Sequence, residues 1–266
     1  MNAFGITDKG KVRSANQDAY RLSLSPDGEY VLAALCDGMG GVHGGEISSA
    51  VAADSFMQYA EDMLRREPKS DAAQVLREAA AYANLKVYDR AFRDESCRGM
   101  GTTLVAALVR PEDAAVVNIG DSRCYWLADG QLQQVTRDHS LVQSMVDRGL
   151  ITEDEARSHP RKNVIMRAVG LERTIRSDIF RLDIRPGDAL LLCSDGLSNL
   201  VDAGETALAA RSMLAAPGME QKAVLRRAWR QLGDLEVADG ELPDNETAMI
   251  QVWRYAPVFA DSSRVD

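Results

Sequence analysis

The chain has 266 residues, 45% apolar and 27% charged, with a formal net charge of -9. That composition is ordinary for a soluble globular protein large enough for one big domain or two small ones. Its acidic balance argues against binding to nucleic acid or anionic membrane. No apolar run approaches the roughly 18 residues a membrane span needs. Residues 1–12 lack the apolar core of a signal peptide. Cys36, Cys97, Cys124 and Cys193 form no CxxC pair and read as buried, reduced thiols of a cytosolic protein.

In chain order, residues 4–12 give a weak strand signal, followed by the compact polar stretch Arg13-Ser-Ala-Asn-Gln-Asp18. Ala19–Leu24 and Val31 onward read as two strands joined through Ser25-Pro-Asp-Gly28, a turn in which Pro presets φ and Gly takes positive φ. Such a hairpin sets Asp18 beside the strand that ends on Asp37. Glycines follow Asp37, and then apolar residues at helical spacing predict a helix over Glu46–Arg66. A second helix is expected over Asp71–Arg93, with Asp71 as its cap.

Leu104–Val109 and Ala114–Ile119 are apolar strands. Cys124–Leu127 and Gln131–Val135 flank Asp129-Gly130, the strongest short hairpin signal in the chain. Successive antiparallel strands with helices before and after them are not the β-α-β alternation of a doubly wound sheet. Residues 141–165 are charged. They predict a short helix at 141–148 and another capped by Thr152 with Glu155 three residues on, and they read as a lid over the strands. Phe180, Leu182 and Ile184 alternate with polar residues as a strand with one exposed face. Ala189–Cys193 is a second buried strand, delivering Asp195-Gly196. Helices at about 203–214 and 219–232, an acidic loop at 233–243 and a last strand over Thr247–Arg254 complete the reading.

The chemistry is carried by carboxylates. Taken singly, an Asp-Gly pair is a turn, and Asp129-Gly130 is left as one. Asp37-Gly38 and Asp195-Gly196 differ because both follow strands apolar enough to be buried. A carboxylate at such a core boundary is costly unless something positive meets it. Hard cations with oxygen ligands suit that position, and Gly lets a backbone carbonyl approach an ion.

Other chemistries lack support. The run Gly38-Met-Gly-Gly-Val-His-Gly-Gly45 fails the dinucleotide fingerprint GxGxxG in every register, and no GxxxxGK[ST] loop occurs. No Cys has an Arg six residues on, as thiolate phosphatases require, and no GxSxG elbow is present. His43, His139 and His159 lack zinc spacing. An oxygen-only site for magnesium or manganese is the consistent choice.

An ordered set of motifs then resembles the metal-dependent protein phosphatases of the PPM, or PP2C, family in its bacterial stand-alone form. The set comprises Arg13-Ser-Ala-Asn-Gln-Asp18, Cys36-Asp-Gly-Met-Gly-Gly41, Gly101-Thr-Thr103, Asn118-Ile-Gly-Asp-Ser-Arg123, Asp138-His-Ser140, Arg167-Ala-Val-Gly170, Cys193-Ser-Asp-Gly-Leu197 and Asp244-Asn245. Each motif alone is weak, but the ordered set is specific and runs from about residue 4 to 254. The resemblance implies an α+β fold, a four-layer α-β-β-α sandwich of two antiparallel sheets flanked by helices. It implies one catalytic domain over 1–256, with a flap at about 140–168 and a tail at 257–266.

It further implies two ions, Mn2+ or Mg2+, with a third at a weaker site. By the resemblance Asp37 bridges the two ions and Gly38 lends its carbonyl. Asp195 and Asp244 bind the first ion, Asp18 holds water on the second, and Asp121 with Asp195 forms the third site. Arg13 is implied to bind phosphate, and a metal-bridged hydroxide to attack phosphoserine or phosphothreonine. The implied partners are phosphoproteins, a Hanks-type Ser/Thr kinase and its substrates, and the chain is expected to be a cytoplasmic monomer.

Three departures stand out. Met39 holds the place of a His proposed as general acid in eukaryotic members, Gln17 that of a Glu ligand, and Val42 that of a His in many bacterial members, so His43 is assigned no role. Two rival readings, a phosphopeptide-sensing pseudophosphatase and a nucleotide cyclase or small-phosphoester hydrolase, fare worse. The first would lack the site carboxylates, and the second would need a purine-recognition motif that the chain does not show.

Overall fold

The computed structural model describes residues 2–5, 7, 15–185, 187–198 and 251–254. Arg13, Asp244, the helices expected at 203–214 and 219–232, the acidic loop and the tail lie outside the described residues.

The elements in chain order are strands β1 (Asn2–Phe4), β2 (Asp18–Leu24) and β3 (Val31–Met39), then helices α1 (Gly41–Arg66) and α2 (Ala72–Arg93). Strands β4 (Gly101–Thr102), β5 (Leu104–Val109), β6 (Ala114–Ile119), β7 (Arg123–Ala128) and β8 (Gln131–Gln134) follow. Next come helices α3 (Leu141–Asp147) and α4 (Glu153–Arg157), strands β9 (Asp178–Leu182) and β10 (Ala189–Cys193), the short helix α5 (Asp195–Ser198) and strand β11 (Gln251–Arg254).

The strands form two antiparallel sheets, one ordered β1-β11-β10-β7-β8 and the other β2-β3-β5-β6-β9, with β4 pairing on β3. The two apolar runs that end in carboxylates are thus the inner strands β3 and β10, one in each sheet.

Alternation along β3 decides the layering. Val31, Ala33 and Leu35 face the other sheet and pack with Val105, Ala107, Val116, Leu190 and Leu192. Leu32, Ala34 and Cys36 point the opposite way, into a cluster with Phe56, Leu76, Ala80 and Ala83 of α1 and α2. Both faces of β3 are buried, which is why its sequence is a continuous apolar run instead of an alternating one. The small alanines of α2 let its backbone lie close to the sheet. Asp71 caps α2 as expected, accepting from the Gln74 amide at 3.0 Å. The capping box of Thr152 and Glu155 is complete at α4.

Three boundaries differ from the sequence reading. The first strand lies at Asn2–Phe4, where it pairs with β11. Strand β3 does not stop at Asp37 but runs on to Met39, because Gly38 and Met39 find partners in Thr102 and Gly101 of β4. Helix α1 begins at Gly41, five residues before the predicted start. Glycines are poor helix formers, but packing overrides propensity here. A side chain at Gly45 would collide with the Gln17 side chain and the Gly38 carbonyl, and one at Gly38 would drive into the Gly45 backbone. The helix can enter over the carboxylate strand only because both positions lack a Cβ.

Candidate active site

Asp18 and Asp37 face one another across the hairpin in direct register. The turn at Ser25–Gly28 determines that pairing: Gly28 has φ +78°, and the Ser25 hydroxyl holds the Tyr30 amide at 2.9 Å. Asp37 is further fixed through its backbone. Its amide donates to Thr103 Oγ1 at 2.9 Å, and its carbonyl accepts from the Thr103 amide at 2.9 Å and the Thr102 hydroxyl at 2.8 Å. The two threonines of Gly101-Thr-Thr103 thus hold the Asp37 peptide and leave its carboxylate for other contacts.

The second sheet closes on this hairpin at the tip of β10. The Ser194 hydroxyl donates to Asp18 Oδ2 at 2.8 Å, tying the strand end before Asp195 to the start of β2. Asp195 opens α5, and its carboxyl shares a hydrogen bond with that of Asp37. Asp121, buried in the turn after β6, completes the group. The structure therefore brings together Asp18, Asp37, Asp121 and Asp195, expected site residues that are 19 to 177 positions apart in sequence.

Electrostatics follow from this crowding. Burial, then the charges of Asp18, Asp195 and Asp121, hold the Asp37 carboxyl well above the usual carboxylate range. Burial, then Asp195 and Asp138, push Asp121 up to about 7. Like charges gathered at a core boundary are unfavourable until a cation offsets them. The donor set fits a hard divalent ion, being carboxylate oxygen throughout, with the Gly38 backbone held against α1 beside it. Among the described residues no three His, Cys, Asp or Glu side chains stand in ready-made ligand geometry. Asp37 and Asp195 instead meet carboxyl to carboxyl, and Asp244 lies outside the described residues.

Two groups without an assigned role in the sequence reading also border the site. Arg123 Nε lies 3.0 and 3.1 Å from the two Asp138 oxygens, and its Nη2 reaches Oδ2 at 2.7 Å. Burial by itself would lower the pKa of Arg123, but the bonds to Asp138 raise it, so the guanidinium stays charged. His139 lies 9% exposed at the foot of the 140–168 segment. Asp138 and His139 appear in the sequence only as part of a short motif, and nothing local shows that they reach β6 and β7.

A cleft of about 440 Å³ opens from Asp121 and Asp195 and runs beneath α3 and α4, past Arg123, Asp138, Val142, Arg157 and Lys162. It joins the carboxylates to the charged segment read as a lid. All four cysteines are buried, and burial pushes the thiols of Cys36 and Cys124 up and that of Cys193 up to about 12. None serves as a nucleophile near neutrality.

An antiparallel two-sheet fold with carboxylates converging at the edge between the sheets is the architecture of a phosphatase family. The family model described as protein phosphatase 2C matches residues 9–235. Serine/threonine phosphatase stp of Listeria monocytogenes is 35% identical over 201 residues, covering 76% of this chain and 79% of that protein. Among solved structures, the Mycobacterium tuberculosis serine/threonine phosphatase PstP/Ppp superposes with a TM-score of 0.79 at 31% identity, covering 96% of this chain and 99% of that one. The catalytic domain of PstP in complex with 2 manganese ions superposes with a TM-score of 0.75 at 30% identity, covering 96% and 98%.

The chain belongs to the protein phosphatase 2C family, and it is a serine/threonine protein phosphatase. Its α+β fold of two antiparallel sheets with helices is that of the mycobacterial enzyme.

Proposed function

We propose that this phosphatase hydrolyses phosphoserine and phosphothreonine on proteins with the help of two divalent ions, Mn2+ or Mg2+. The observation that carries the reading is the meeting of the Asp37 and Asp195 carboxyls at the tips of β3 and β10 with Asp18 and Asp121 close by. The likeness to a PstP catalytic domain solved with manganese supports it. Asp37, Asp195 and Asp244, with the Gly38 carbonyl, would hold the ions, Asp18 would hold coordinated water, and Asp121 with Asp195 would take a third ion more weakly. When bound, such ions lower the pKa of a shared water towards neutrality and so supply the hydroxide that attacks phosphorus.

The remaining steps belong to the chain's own residues. Arg13 holds the phosphoryl oxygens with a planar fork of donors, orienting phosphorus for in-line attack and offsetting developing charge. The P–O bond to the serine or threonine oxygen breaks, leaving phosphate and the free hydroxyl without a covalent enzyme intermediate. Met39 has no proton to give, so the leaving oxygen takes its proton from another donor. The 140–168 segment serves as a flap over the cleft that leads to Asp121.

The substrates are phosphoproteins modified by a Hanks-type Ser/Thr kinase, and the catalytic domain spans 1–256. A cytoplasmic monomer completes the proposal. Among the described residues no helix is long and apolar enough to cross a membrane. The test compares phosphate release from a phosphothreonine peptide, a nucleotide and nitrophenyl phosphate, each with manganese and with EDTA. Manganese-dependent turnover led by the peptide supports the reading. Preference for the nucleotide, or peptide turnover that survives EDTA, overturns it.

A further inference from the structure

We infer that His139 is a positioning residue for Asp121 and that it couples the base of the 140–168 segment to that carboxylate. The inference rests on the reading of Asp121 as an ion ligand.

Asp121 follows Gly120, whose φ of +108° places it in a conformation that side chains disfavour. A backbone bent that way stays in place only if neighbours hold it. His139 does so from both sides of one residue. The Gly120 amide donates to His139 Nδ1 at 3.0 Å, and the His139 amide donates back to the Gly120 carbonyl at 2.9 Å. Asn118, fully buried, adds a weaker bond from Nδ2 to the same carbonyl at 3.3 Å. Both polar groups of the peptide residue before Asp121 are thus engaged by a single histidine.

The bond pattern assigns the ring's hydrogen. Nδ1 accepts, so the neutral imidazole carries its hydrogen on Nε2. Nε2 lies 3.3 Å from Asp178 Oδ2, which accepts that hydrogen. Arg167 Nη1, 2.8 Å from the same ring nitrogen, has its acceptor in Asp178 Oδ1 at 2.9 Å. Asp178 is itself the cross-strand partner of Asn118 in the β6–β9 pair, so the orienting carboxylate is built into the sheet. The order Arg167, Asp178, His139, Gly120 is the arrangement by which outer groups fix the tautomer and direction of an inner one.

The same histidine is where the two ends of the 140–168 segment meet. Its carbonyl accepts from the Met166 amide at 2.7 Å. Ser140 bridges to Ile165, and Leu141 donates to the Val164 carbonyl at 2.8 Å. Ser140 then caps α3, accepting from Gln143 at 3.2 Å. A displacement of either end of the segment therefore acts on the residue that clamps Gly120.

Two substitutions separate clamping from filling space. In His139→Asn the amide oxygen falls close to the place of Nδ1 and can still accept from Gly120, whereas the reach to Asp178 is lost. In His139→Gln the amide falls closer to Nε2, keeping Asp178 and losing the Gly120 acceptor. Manganese titration by calorimetry or electron paramagnetic resonance reads ion affinity directly, and steady-state kinetics on a phosphothreonine peptide reads kcat and KM apart.

The expected result is that His139→Gln weakens the weakest manganese ion about tenfold or more and lowers kcat with little change in KM, while His139→Asn stays much closer to wild type. Equal impairment of both variants, or unchanged ion affinity in His139→Gln, overturns the inference. Should His139→Gln fail to fold, Asn118→Ala, which removes the other bond to the Gly120 carbonyl, must weaken the same ion, and unchanged affinity counts against the clamp. Asp121→Asn is the control. If it leaves manganese binding intact, the reading of Asp121 as a ligand fails. If it weakens binding where His139→Gln does not, only the positioning role fails.

Discussion

Asp18 and Asp37 oppose each other directly across the β2–β3 hairpin, two carboxylates on neighbouring strands in a sheet otherwise rich in alanine and leucine. Like charges so placed cost stability. The Ser194 hydroxyl bonds one of them, and the Asp195 carboxyl meets the other. That balance is suited to a protein whose site is completed from outside.

Removing one of these charges should separate activity from folding. Asp37→Asn is expected to lower kcat/KM on a phosphothreonine peptide by at least about a hundredfold, the upper scale for groups around a catalytic ion. Its melting temperature without added metal should stay level or rise, because burial and the charges of Asp18, Asp195 and Asp121 no longer act on an ionisable group there. Activity near the wild-type value would count against the site.

Metal removal should act in the opposite sense. Chelation with EDTA is expected to lower the melting temperature, and manganese at about 100 times its Kd to restore about 2.7 kcal/mol. Calorimetric scans at several manganese concentrations provide the check, and melting that ignores the ion would contradict the proposed ligands.

Gly38→Ala tests close approach in place of charge. A Cβ at Gly38 would strike the Gly45 backbone of α1 and lie 2.7 Å from the Gln17 carbonyl oxygen. Backbone cannot yield as a flexible side chain does, so overpacking should cost about 1–3 kcal/mol and abolish turnover together. Retention of both full stability and full activity in denaturant titration and assay would be the contrary result.

The pH dependence of stability should carry the signature of His139. Burial lowers its pKa from the ordinary 6.5, against the pull of Asp178 in the other direction. The folded chain therefore keeps the ring neutral where the unfolded chain protonates it. As pH falls through 6.5 towards the lower folded value, the unfolded state binds more protons and stability drops, whereas above 6.5 the contribution is complete. The melting temperature of wild type relative to His139→Asn should shrink between pH 7.5 and 5.5, and a constant gap would exclude the effect.

The four thiols should be silent. All are buried, and a thiol reagent such as dithionitrobenzoate is expected to react at the rate of unfolding and not before. Rapid labelling of the native enzyme would contradict that burial.

Much of this protein is legible along the chain because the deciding interactions are local. Leu104–Val109 and Ala114–Ile119 have the predicted bounds because short, almost wholly apolar runs between turn signals have few other places to go. Asp129-Gly130 takes positive φ at both positions, as its turn requires. The Asp18–Asp37 pairing was readable too, since a short hairpin with a defined turn sets its own register. The family itself follows from the order of motifs, which needs no coordinates.

The rest was decided in three dimensions. Nothing near Asp195 says that it lies against Asp37, because their meeting depends on two sheets stacking through Leu190, Leu192, Ala33 and Leu35. Helix α1 starts among glycines of poor helical propensity because close packing on Gln17 and Gly38 outweighs the cost. His139 looks like an ordinary surface histidine until β6 and β9 bring Gly120 and Asp178 to its two nitrogens. Local propensity sees a few residues at a time, whereas the site is assembled from side chains more than a hundred positions apart, held by burial that only the closed fold supplies.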